Sequence, residues 1–425
     1  MSRRVVITGL GVLAPNGNGL AEFEAALRKG KSGLRHIEAM EEYKFGCQVA
    51  GVPSGVDVLA AALFTEEELI AMNAIHRYCA VAAIEAWQDA GLPRPAEDDD
   101  RVRWDTGAIL GTGIGGFDTV AERVVPLVEA KKVRRLGSTA VEQVMASGSS
   151  ARVAGLLGLG NQVTTNSSAC ATGLEALVMG TQRIRDGLAE RMVCGGTEIP
   201  SIHSWAGFDA MRVLCRKFND APERASRPMS ATAAGFIPGA GAGVLVVESL
   251  EAAQARGARI HAEVLGTAVN CGGQRMGGTM TAPNPEGVSR CIRAAIRDAG
   301  IQPQEVDAIG GHLTATIADP KEVHAWANAL ERGPEDFPVL TSTKSMIGHC
   351  LGAAGAIECV AALMMLQGGF VHASLNCEDL HPEIEPFSAS IPRQMREVPG
   401  MRTIMKAGFG FGDVNAALVL RRFGD

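Results

Sequence analysis

Short apolar runs alternate with helix-patterned stretches along this chain, and after about residue 258 the same rhythm begins again. In the first half, RRVVITGLGV reads as a strand entering a glycine turn, and TGAILGTGIGG as another. RMVCGGTE and GAGVLVVES read as further buried strands and AERVVPLVEAKK as a helix. The stretch from Thr65 to Gly91 is predicted as one long helix, capped by Thr65, with Glu68 completing a capping box and Gly91 ending it. In the second half HAEVLGTAV and VDAIGGHLTAT read as strands, whereas EGVSRCIRAAIRDAG, PKEVHAWANALE and CVAALMMLQGG read as helices. Such alternation favours an α/β architecture with mostly buried strands. Two similar halves, residues 1–258 and 259–425, are the expected organisation, because 425 residues exceed one simple core.

Composition narrows the function classes. A net charge of −7 supplies no broad cationic surface, which argues against a nucleic-acid binder. The ten cysteines include no C-x-x-C pair and no Cys/His cluster, so no metal site is expected. The opening MSRRVVITGLGVLAP has too short an apolar run for a signal peptide, and no segment approaches bilayer-spanning length. A cytoplasmic protein with reduced thiols is the expectation.

One cysteine stands apart. Cys170 lies in NSSACATGLEA, among residues almost too small to pack, just before the helical run ATGLEALVMGTQRIRDG. Ala171, Leu174, Ala176, Leu177 and Met179 fall at inward-facing spacing, and Gly187 ends the helix. A thiol at a helix amino terminus meets free N–H groups and the macrodipole, so its pKa is expected to fall below the usual ~8.5. Small neighbours leave room for a substrate. The same local sequence also suits a buried structural cysteine, so a nucleophile needs partners. Two histidines have unusual surroundings: His312 in GGHLTATIADP and His349 in TSTKSMIGHCLGAAGAIE, both beside glycine turns.

Cys170 with these two histidines resembles the elongating β-ketoacyl-acyl-carrier-protein synthases of the thiolase superfamily. The likeness spans the chain: VVITGLGVLAPNG, SSACATG, SRP followed by GFIPGAGAGVLVVE, STKSMIGHCLGAAGAIE and GFGFGDVNAALVL follow the family's order. It implies a thiolase fold, two similar βαβαβαββ-type halves in a five-layered α-β-α-β-α arrangement. The implied reaction is a decarboxylative Claisen condensation, with the acyl group on Cys170 and with His312 and His349 donating to the malonyl thioester oxygen. Lys344 and Glu358 match the family's paired charges, and Phe411 its gating phenylalanine. The backbone N–H groups of Cys170 and Phe411 are the implied oxyanion hole. Thr314 and Thr316 match pantetheine-binding threonines, and Ile114 and Phe208 match acyl-pocket residues. Arg134, Arg135 and Arg212 match a docking surface for an acidic carrier protein. No cofactor is implied, since phosphopantetheine of the acyl carrier protein brings the substrates. A homodimer is implied, and a heterodimer with a related subunit also fits.

Departures mark a divergent branch. Leu313 stands where Gly or Ala is usual, a change expected to narrow or reshape the pantetheine channel. Asp413 and Val414 replace Gly and Thr, and Glu66, Glu67 and Glu68 lie where many relatives are basic. A specialised polyketide or aryl-polyene pathway is therefore an alternative to fatty acid elongation. Rival readings fare worse. GTGIGG fits a dinucleotide fingerprint, but Glu129, at roughly the acidic position, falls in a helical run. A thiolase would need a second cysteine near GFGFGDVN, an initiating synthase an Asn in place of His349, and a chain-length factor would lack Cys170.

Overall fold

The computed structural model describes residues 3–96 and 98–424. The first half contributes strands β1 (Val5–Ala14), β2 (Thr106–Gly111), β3 (Val163–Thr164), β4 (Arg191–Glu198) and β5 (Gly241–Ser249). The second contributes β6 (Ala262–Cys271), β7 (Ala308–Gly310), β8 (Val339–Thr341), β9 (Thr403–Gly410) and β10 (Val414–Arg421). In space the order is β3-β2-β4-β5-β1 and β8-β7-β9-β10-β6, so each half runs third, second, fourth, fifth, first. Pairing directions also repeat. β2 is parallel to β3 and β4, and β7 to β8 and β9; the remaining neighbours within each half are antiparallel. The rhythm that recurs in the sequence is thus a repeated topology. A short antiparallel pairing of Val5–Ile7 with Ala262–Val264 joins the two half-sheets.

Alternation along the strands builds the layers. On β5, Leu245 and Val247 face a central core, whereas Val244 and Val246 face an outer one. On β10, Leu418 and Leu420 face the centre, and Ala417 and Val419 the opposite side. Helices α1 (Ala74–Asp89) and α2 (Gly148–Leu157) cover the first half-sheet. Next in chain order is α3 (Thr172–Arg185), followed by α4 (Pro285–Ala299) and α5 (Asp319–Leu330), which cover the second half-sheet. α6 (Ala354–Gly368) lies beside α3 between the two half-sheets, which completes the α-β-α-β-α arrangement. A Cβ at Gly355 would lie 2.8 Å from the backbone N and the Cβ of Leu174, so glycine there lets α6 cross α3 at close range.

Two expectations need correction. The long helix from Thr65 is two helices, Glu66–Ala71 and α1. Thr65 and Glu68 do form the capping box, but the Asn73 side chain accepts from His76 N and starts a new helix. The helix expected around Val120–Glu129 is present and starts at Phe117, with a π-turn over Val120–Val124 just before Pro126, which has no amide hydrogen to continue the ladder. Finally, Leu351–Gly368 is long and apolar enough to cross a bilayer, with mean hydropathy 1.5, but 89% of it is buried between the half-sheets. A helix apolar on all sides is what a central layer demands.

Candidate active site

Cys170 occupies a single 3-10 turn, Ala169–Ala171, that runs directly into α3. Ala169 takes a left-handed φ of +48°, and Ser168 N donates to Thr172 Oγ1 at 2.7 Å, which tightens the turn. The end of β9 passes beneath: a Cβ at Gly410 would lie 2.7 Å from Ser168 O and 3.1 Å from Cys170 N. Phe411 N–H, next along the chain, lies against the Cys170 sulfur. The thiol is shifted upwards. Burial pushes Cys170 up to about 11, against the opposing pull of Lys344 and the Phe411 amide. The shift runs opposite to the lowering expected, because desolvation outweighs the Lys344 charge and the Phe411 amide.

His312 follows β7 and is fixed through its backbone. Glu322, in the first turn of α5, accepts from His312 N at 2.6 Å and Leu313 N at 2.8 Å. Asp319 accepts from Thr314 N and Ala315 N at 2.9 and 3.0 Å. These carboxylates hold left-handed conformations at Leu313 (φ +30°) and Ala315 (φ +63°). Leu313 does not narrow a channel: its side chain is fully buried in the outer core of the second half and is not among the cavity-lining residues. His349 sits on the turn after Gly348, whose φ is +70°. Leu351 N donates to His349 Nδ1 at 3.3 Å, so the ring proton belongs on Nε2. Lys344 Nζ donates to His312 O at 2.6 Å and faces His312 Nδ1 at 3.5 Å, which places that ring's proton on Nε2 as well. Burial first, and Lys344 second, hold both imidazoles well below the ordinary histidine pKa, so both are neutral at pH 7.

The two rings meet edge-on, centroids 5.4 Å apart, and Cys170, His312 and His349 bring their reactive atoms within 4.8 Å of one another. A thiol and two imidazoles are zinc-ligand types. Tetrahedral zinc, however, wants donors about 3.5 Å apart, and Lys344 and Lys406 make the surroundings cationic. Beneath the histidines Lys344 and Lys406 (Nζ–Oε2 2.6 Å) both pair with Glu358, and all three are buried. Lys406 also donates to Gly311 O (3.0 Å) and Ala407 O (2.6 Å), securing the strand that carries His312. Sequence reading found Lys344 and Glu358 and missed Lys406, Glu322 and Asp319. A lysine inside the apolar run TIMKAGFG was the available signal, since a buried charge demands partners.

Cys170, His312 and His349 line one cavity of about 290 Å³. Phe208, Thr314, Thr316 and Phe411 line it too. Phe208 packs edge-on against Phe236 (5.5 Å) and Phe411 (6.2 Å), and the two threonine hydroxyls lie 3.1 Å apart. Ile114 is 40% exposed and outside this cavity. Arg134 and Arg135 lie on the exposed turn Val133–Leu136, and exposed Arg212 adjoins Val213 of the cavity wall. Thr281 to Pro283 form a wall that sequence reading missed. Their loop is anchored by Asp413, whose carboxylate accepts from Gln274 N (2.9 Å) and Asn284 N (2.8 Å). A larger cavity of about 850 Å³, beside Thr65, His76 and Arg152, contains none of the candidate residues.

The Beta-ketoacyl synthase N-terminal domain matches residues 2–253, and the Beta-ketoacyl synthase C-terminal domain matches residues 261–378. The chain belongs to the β-ketoacyl synthase family. Among its relatives is 3-oxoacyl-[acyl-carrier-protein] synthase 1 of Haemophilus influenzae, 34% identical over 422 residues and 99% of each chain. Another is 3-oxoacyl-[acyl-carrier-protein] synthase 2 of Coxiella burnetii, 35% identical over 428 residues, 100% of this chain and 99% of the relative. Among solved structures, a β-ketoacyl synthase from Burkholderia phymatum aligns at TM-score 0.90 and 28% identity, covering 99% of both chains. The ishigamide ketosynthase/chain length factor aligns at 0.88 and 32%, covering all of both. A type II polyketide ketosynthase in complex with its acyl-carrier protein aligns at 0.86 and 29%, over 99% of this chain and all of that one. The β-ketoacyl synthase described here therefore shares its fold along the whole length with proteins of both names.

Proposed function

We propose that this β-ketoacyl synthase is a 3-oxoacyl-[acyl-carrier-protein] synthase, an acyltransferase that lengthens an acyl thioester with malonyl-carrier protein in fatty acid elongation. The observation that carries the proposal is the meeting of Cys170, His312 and His349 within 4.8 Å on one cavity. In the first step Cys170 exchanges for the pantetheine thiol of the acyl donor, and its proton leaves with that thiol. The Phe411 amide, already aimed at the sulfur, and the Cys170 amide would receive the oxyanion. In the second step the malonyl carboxylate leaves as carbon dioxide, and its electron pair passes into an enolate. Two neutral Nε2–H donors, on His312 and His349, meet the charge on the thioester oxygen. The enolate then attacks the acyl carbonyl, a carbon–carbon bond forms, and the sulfur departs and takes a proton from solvent.

Thr314 and Thr316 would hold the pantetheine arm, Phe208 would contact the acyl chain, and Phe411 would gate the sulfur. Arg212, beside the cavity wall, is the best-placed docking residue for an acidic carrier protein; a relative in complex with its carrier supports that class of partner. We read the division near residue 258 as separating a nucleophile half from a histidine half. The working form is read as a homodimer. Trp104 is exposed, and its carbonyl accepts from the Asn161 side chain just before the edge strand β3, where a second copy would cover it. We read the cytoplasm as its place of work, where free cysteines such as these stay reduced.

The test is condensation of malonyl-carrier protein with acyl primers of several lengths. Product from the parent and none from Cys170→Ala is expected. A parent that decarboxylates nothing, or a Cys170→Ala variant that still condenses, overturns the proposal. Exclusive use of primers already carrying several keto groups would reassign it to polyketide assembly.

A further inference from the structure

We infer that Glu198 is a positioning residue that fixes His349, acting through the turn Leu351–Ala353. The inference rests on the reaction proposed at Cys170. Glu198 ends β4 and is 1% exposed. Its Oε2 accepts from two backbone amides in different halves of the chain: Gly113 N at 2.9 Å, in the loop after β2, and Gly352 N at 3.1 Å. Its Oε1 accepts from the Thr112 hydroxyl at 3.1 Å. The fit leaves no slack, because a Cβ at either Gly113 or Gly352 would lie 2.7 Å from Oε2.

Gly352 shares its turn with Leu351, whose amide binds His349 Nδ1 and sets that ring's tautomer. On the other side, the Ser167 hydroxyl donates to Gly113 O at 3.3 Å, so the segment entering the Cys170 turn leans on the loop that Glu198 holds. One buried carboxylate therefore joins the supports of the sulfur and of the second imidazole. Burial pushes this carboxyl up to about 7 in spite of its hydrogen bonds. Glutamine, which has the shape of the protonated acid, is accordingly the conservative replacement: its oxygen can accept both amides while its NH₂ faces Thr112.

The experiment compares the parent with Glu198→Ala, Glu198→Asp and Glu198→Gln, each with ¹⁵N-labelled histidine, and assigns the His349 signals with a His349→Gln control. In the parent and Glu198→Gln, His349 is expected to be protonated at Nε2 alone. In Glu198→Ala and Glu198→Asp it is expected to show mixed tautomers, with kcat for malonyl decarboxylation down at least tenfold and KM within threefold. Glu198→Gln should recover kcat to within threefold of the parent. Glu198→Asp, which merely withdraws the carboxylate, carries the test if the alanine variant does not fold. An unchanged His349 signature in Glu198→Ala or Glu198→Asp overturns the inference, as does an equal loss in Glu198→Gln. Inactivity of the parent would instead count against the proposed reaction, while the tautomer signal still decides the role of Glu198.

Discussion

Two influences compete at Cys170. The Lys344 charge and the Phe411 amide favour thiolate; burial favours thiol and prevails, at about 11. Thiolate then grows about tenfold per pH unit below that value. Alkylation of Cys170 by iodoacetamide, followed by peptide mass mapping, should climb without a plateau from pH 7 to pH 9. A plateau below pH 8 would contradict this. Sequence made the three reactive residues legible because each lies in a local run of small or glycine residues. The thiol's pKa was not legible, because its desolvation comes from β9 and the His312 strand, more than a hundred residues away. Lys406 was hidden for a similar reason: a strand of buried side chains reads as apolar until its partner Glu358 arrives from α6. Replacing Lys406 by Met leaves Glu358 with one cation and frees buried carbonyls. A loss of about 3–5 kcal/mol in urea-unfolding stability is expected, and a loss under 1 kcal/mol would show that the pair is dispensable.

Elements were read best where the pattern is local. β4 and β5 match their sequence runs residue for residue, since both are buried apart from Arg191 at the start of β4. The Thr65–Gly91 segment failed because Asn73 looks like one polar residue in a helix until its side chain is seen capping His76 N. The loop 272–284 was not legible at all: it has no periodicity, and its shape depends on Asp413 reaching it from the turn before β10. Asp413 has a left-handed φ of +63° and also accepts from Gly272 N through its carbonyl at 2.8 Å. Asp413→Ala should strip the buried Asn284 amide and the Gln274 amide of their acceptor, at a cost of about 2 kcal/mol. Hydrogen exchange at Gln274 and Asn284 should accelerate in that variant; unchanged protection would mean that the loop is held by other contacts.

For the whole molecule, the repeated strand order places the end of β3 and the ends of β7 and β8 around the same central helices. That symmetry is why a cysteine from one half meets histidines from the other. The rhythm of the sequence announced two halves, but not which strands are neighbours, because pairing between β1 and β6 spans more than 250 residues. Trp104 and Val141 are 73% and 76% exposed, and large apolar side chains so placed are costly to leave in water. Sedimentation should give twice the chain mass for the parent and the single chain mass for a Trp104→Glu, Val141→Asp variant. A parent that sediments as one chain would refute the dimer.

Mass spectrometry of the protein incubated with an acyl thioester primer, without malonyl donor, probes the shared site most directly. One acyl adduct per chain is expected, on the peptide bearing Cys170, discharged when malonyl-carrier protein is added and retained when His312 and His349 are both replaced by alanine. An adduct on another cysteine, or discharge that is unaffected by loss of both histidines, would contradict the site described here.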